Sequence, residues 1–117
     1  MGGRAMSPRA QVYHWAAQRF SAMVLAVCVL VHLVTLIYAV QGGLSATEIL
    51  GRTRGSVGWG AFYTVFVLAV AIHAPIGLRA ILAESLGWRG VFLNAVVGVA
   101  SLVILGLGLR AVWAVVA

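Results

Sequence analysis

Three long apolar runs without a single Asp, Glu, Lys or Arg, at residues 20–40, 57–78 and 91–109, decide what this chain can fold into. At a rise of about 1.5 Å per residue, roughly 20 residues cross the hydrocarbon core of a bilayer, and each run has that length. None shows the period-two alternation of a barrel strand, so each is expected to be a helix. Only 9% of the residues are charged and 63% are hydrophobic, against roughly 25% charged in a soluble domain. The expected fold is therefore an all-α membrane protein of three transmembrane helices, forming part of a larger helical bundle. Residues 1–18 read as an amino-terminal interfacial arm, and residues 19–117 as the anchor, with spans at about 20–40, 57–80 and 91–113. A cleaved signal peptide is the main competitor for the first run. That run is too long for a typical signal core, and no A-x-A site closes it. Leu25-Ala26-Val27-Cys28 matches a lipoprotein site only in part, because Val27 stands where a small residue belongs. The segment is expected to be retained.

The polar residues punctuate these runs. All eight cations are arginines, and the only acids are Glu48 and Glu84. A net charge of +6 raises the question of nucleic acid, but the arginines sit between apolar runs and build no basic face. They read as interface markers, as do Trp15, Trp59, Trp88 and Trp113 near the expected span ends. Arg4, Arg9, Arg19, Arg79 and Arg89 fall on the amino-terminal side, and Arg52, Arg54 and Arg110 on the other. That asymmetry favours a cytoplasmic amino terminus in a bacterial-type inner membrane. In the loop at 44–56, Ser45 and Glu48 have the spacing of a capping box. The single cysteine, Cys28, excludes an internal disulfide.

Two histidines, His32 and His73, lie inside apolar runs. A charged group at that depth costs about 2.5–3.5 kcal/mol and usually faces the bundle interior, whereas a neutral imidazole is a good metal ligand. A hydrogen bond to another helix is the alternative for each. On the first helix Ser21, Cys28, His32 and Thr35 share one face; on the second, Ala69, His73, Gly77, Ala80 and Glu84 do. Small residues a turn either side of His73 leave the flat slot a haem macrocycle requires, or a seam for helix packing. Pro75 removes the helical bond to the Ala71 carbonyl. Measured from Arg19 and Arg79 as markers of one interface, the two imidazoles differ in depth by roughly 10 Å. Two ligands of one iron stand only about 4 Å apart, so each histidine needs its partner from a second chain, either an identical copy or a separate subunit. Asn94, Gly98, Ser101 and Gly108 on the third helix read as packing residues.

The stretch His73-Ala74-Pro75-Ile76-Gly77-Leu78-Arg79, followed by Glu84, resembles the H-x-x-x-G-x-R-x-x-x-x-D segment of the cytochrome b membrane-anchor subunits of succinate dehydrogenases and fumarate reductases. Ser7-Pro8 through Gln11-Val12-Tyr13, then Arg19-Phe20-Ser21, is similar to that family's S-P-x-x-Q-x-Y segment and H-R-x-S-G signature. His32-Leu33, 41 residues before His73, makes with His73 a pair similar to the first two histidines of the single-chain, two-haem anchors. The resemblance implies a subunit of a succinate:quinone oxidoreductase, inactive alone, held against flavoprotein and iron–sulfur subunits. It implies haem b, one or two, shared with a partner chain, and a quinone as substrate. Under it His73 is an axial haem ligand, His32 the ligand of a second haem, Arg79 a propionate contact, and Arg19 with Ser21 quinone-site contacts. The sequence departs from the family at Gln18, where the signature has histidine, at Ala22 for glycine, and at Ala80 for a histidine.

Two other readings remain. One is a haem-free anchor of the same complex, its histidines serving only as hydrogen-bonding groups. The other is a small transporter or assembly scaffold with no redox role, against which stands the position of Glu84 near an interface instead of deep in the membrane.

Overall fold

A computed structural model describes residues 7–117, and Arg4, one of the arginines in the orientation count, lies outside them. Four helices follow one another: α1 (Pro8–Gln41), α2 (Ala46–Thr53), α3 (Val57–Leu86) and α4 (Gly90–Val116). The three long ones are apolar and long enough to cross a membrane, as the sequence predicts; the chain is a multi-pass membrane protein. α1 is longer than its apolar run. Ser7 caps it, its side chain accepting from the Ala10 amide at 3.1 Å, with Pro8 in the first turn, and no breaker separates the arm from the span. Residues 8–18 are therefore the first three turns of the same helix.

α1, α3 and α4 run antiparallel in sequence, α3 packing against both of the others. One end of the bundle carries the start of α1 and the α3–α4 turn, where Gly87 closes α3 in the left-handed conformation (φ 68°) that favours glycine. The other end carries α2 and the carboxyl terminus. α2 has the expected capping box between Ser45 and Glu48. Its Arg52 lies over the Tyr38 ring, 5.6 Å from the centroid, and the hydrogen bond with Tyr38 raises its already high pKa. Arg52 is a fixed positive charge at this end.

The last carbonyls of a helix have no partners within it, and here the α2–α3 loop supplies them. Thr53 Oγ1 donates to the Val115 carbonyl at 2.6 Å, and the Gly55 amide to the Val116 carbonyl at 2.8 Å. Thr53 is buried. Thr53→Val keeps the shape and removes the donor, stranding a buried acceptor, and is expected to destabilise the bundle by about 1–3 kcal/mol. Thermal unfolding in detergent measures this; a midpoint equal to wild type would dismiss the clamp.

Few side chains are enclosed. Cys28, Ala69, Pro75 and Leu93 are the buried apolar residues among those described. On α1, Phe20, Met23, Val27, Leu30 and Val34 are all more than 60% exposed, and their spacing of three and four residues makes one continuous apolar stripe. Water is no solvent for such a face, so it meets lipid or another chain.

Candidate functional site

His73 sits on the face of α3 that meets α1. The side chain is half-buried. Its Nδ1 is enclosed with no hydrogen-bond partner, while Nε2 is not so enclosed. Around it the helix is lined by small residues. Ala69, one turn before, is buried. Gly77, one turn after, faces Gln18 of α1, whose Nε2 lies 3.6 Å from where a Cβ on Gly77 would stand. α3 continues unbroken through the buried Pro75. An imidazole held in this way can present Nε2 to a metal while its other nitrogen stays inside the protein.

The neighbouring α1 residues divide between two faces. Ser21 is buried, and its hydroxyl donates to the Gln18 carbonyl at 3.1 Å. Arg19 is exposed and lies over the Trp15 ring, 5.5 Å from the centroid. Two residues apart is about 200° around a helix, so the structure does not bring Arg19 and Ser21 together. Arg79, two residues past Gly77, donates through Nη2 to Asn94 Oδ1 of α4. A guanidinium has five N–H donors, which leaves others free for an anion. Asn94 thus does more than pack, and Gln18 joins the stripe of Ser21, Cys28 and His32 at its amino-terminal end. Sequence reasoning treated Gln18 only as a departure; its position three residues before Ser21 was the signal for it.

His32 occupies a different layer. Its ring meets Tyr63 and Phe66 edge-on, centroids 5.8 Å away in both cases, and Nδ1 lies 3.5 Å from the Tyr63 hydroxyl. Those two aromatics precede His73 by ten and seven residues, about 10–15 Å along α3. His32 and Tyr63 are the polar edge of an open apolar pocket of about 370 Å³ lined by α1, α3 and α4, with Val67 and Gly108 in its wall. Of the α4 residues on the expected packing face, Gly108 meets Val67, whereas Gly98 faces open space. The Ser101 hydroxyl donates to its own helix, at Val97. Among the described residues no three His, Cys, Asp or Glu side chains gather as a metal cluster.

The family model described as the succinate dehydrogenase/fumarate reductase transmembrane subunit matches residues 4–116. The chain belongs to this family. Searches of curated proteins and of solved structures find no match. As a transmembrane subunit of these complexes, the chain has its place beside other subunits.

Proposed function

We propose that this chain is the haem b-binding anchor subunit of a succinate:quinone oxidoreductase, with His73 as an axial ligand through Nε2. The observation that carries the reading is the His73 ring itself, with Nδ1 enclosed and unpartnered and Nε2 less enclosed, between the small residues Ala69 and Gly77. A haem supplies one-electron chemistry within the membrane. This chain's residues would hold it: His73 would ligate the iron, and Arg79, steadied by Asn94, would pair with a propionate. Because His32 is in another layer, any second ligand to the same iron would have to come from another chain. Arg19, exposed at the same end of the bundle, would contact the quinone headgroup; Ser21, enclosed and bonded to its own helix on another face, would not contact it directly. Flavoprotein and iron–sulfur subunits dock at this end, which under the arginine asymmetry is the cytoplasmic side of a bacterial inner membrane.

His32 has two readings. Where the complex holds a second haem, His32 is its ligand. The contact with Tyr63 favours the other, in which His32 ties α1 to α3 and no second iron is present.

Purifying the membrane complex through a tag on this chain tests the proposal. Co-purification of a flavoprotein and an iron–sulfur protein, with a sharp reduced α-band of b type, is the expected result. An intact complex without that band would leave the haem-free anchor; absence of the soluble partners would defeat the redox role.

A further inference from the structure

Ligation of a metal through Nε2 of His73, the reading on which this inference rests, leaves the ring's proton on Nδ1. That N–H is a donor enclosed between α1 and α3. Among the described residues one other buried side-chain atom lacks a partner, and it is an acceptor: Oε1 of Gln18. It stands on the facing helix, about one turn away. The amide nitrogen of the same side chain is 3.6 Å from the Cβ position of Gly77, and Gly77 lies four residues beyond His73. Ser21, three residues beyond Gln18 on the same helix, has its hydroxyl hydrogen committed to the Gln18 carbonyl.

We infer that Gln18 is a positioning residue for His73, its side-chain oxygen accepting the Nδ1–H once a haem is bound. One enclosed donor on α3 and one enclosed acceptor on α1 are each unsatisfied, and the Gln18 amide lies beside Gly77, one turn of α3 from His73. The bond fixes which nitrogen faces the metal, fixes the plane of the ring, and makes the imidazole a stronger electron donor. A stronger donor favours ferric over ferrous iron, so the pair holds the midpoint potential down.

The test uses the assembled, purified complex in wild-type, His73→Ala, Gln18→Leu, Gln18→Glu and Ser21→Ala forms, with haem content and optical redox titration as readouts. The relevant haem is the one that His73→Ala removes. Gln18→Leu is expected to raise its potential and to weaken its retention by about 10- to 100-fold. Gln18→Glu, a stronger acceptor, is expected to lower the potential, and Ser21→Ala to leave it in place. If Gln18→Leu does not assemble, the Gln18→Glu shift decides: downward supports the pairing, while no shift or an upward one overturns it. The pairing also fails if Leu and Glu shift the potential in the same direction, if neither shifts it, or if Ser21→Ala alone does. A His73→Ala complex that keeps its full haem defeats the ligand assignment itself, which separates that failure from failure of the Gln18 pairing.

Discussion

His73→Ala is expected to remove a haem b completely from an otherwise intact complex, whereas His32→Ala leaves that haem in place. The asymmetry follows from what each ring already does. His73 has no hydrogen-bond partner for its enclosed Nδ1, so its place in the interface is unexplained by the chain's own packing. His32 has partners: Tyr63 within 3.5 Å and two aromatic edges. Losing a cross-helix hydrogen bond in a membrane costs about 0.6 kcal/mol on average and up to about 1.7 kcal/mol, which a multi-subunit assembly tolerates. Losing a ligand abolishes the site. Reduced-minus-oxidised spectra of the two variants read this directly. If the wild-type complex holds two haems, each variant should lose a different one, because the rings lie about 10–15 Å apart along the bundle. Loss of both haems from an intact His32→Ala complex would contradict the two layers.

The spans were legible in the sequence because hydropathy reports what a segment is dissolved in. Their ends were less so. α1 begins at Pro8, well before its apolar run, since helix ends are set by caps and breakers and not by the edge of the hydrocarbon. Where the caps are themselves a pattern, as in Ser45 and Glu48, the short helix α2 could be anticipated as a capped turn. The partners of polar residues were hidden for a different reason. That Arg79 meets Asn94, or that His32 meets Tyr63, depends on the register of one helix against another, and a single helix's periodicity fixes only a face. Gly98 and Gly108 show the consequence: both were assigned to one packing face, yet only Gly108 touches α3. The resemblance at His73, Gly77 and Arg79 placed the chain in a family that the matched model shows. The departure at Gln18 carried information of its own, because the replaced histidine left an amide whose oxygen has no partner in the fold.

Gly108→Ala is expected to destabilise the anchor more than any other single-methyl addition at its glycines in helix–helix contact, and Val67→Ala should rescue it. A Cβ on Gly108 would stand 2.6 Å from Val67 Cγ1 and 3.0 Å from Cγ2, inside any real carbon–carbon contact. Val67 cannot turn away freely, because a β-branched side chain in a helix holds essentially one rotamer. The helices themselves must part. In a membrane, packing and not hydrophobic exclusion holds helices together, and small residues permit the close approach on which it depends. Overpacking of this kind costs about 1–3 kcal/mol, read as a lowered unfolding temperature of the complex in detergent. Gly60, where a Cβ would stay 3.7 Å from Val116, is the control, and Gly60→Ala should be nearly neutral. Removing both γ-methyls with Val67→Ala leaves only the Val67 Cβ, at 3.3 Å, so the double variant should be more stable than the sum of its parts, as expected for residues in direct contact. Strict additivity would place the cost of Gly108→Ala elsewhere. The effect should also reach His73, six residues along the same helix from Val67: Gly108→Ala should loosen haem retention, and the rescued pair should restore it. Restored stability with haem still loose would mean that the α3–α4 contact does not position His73.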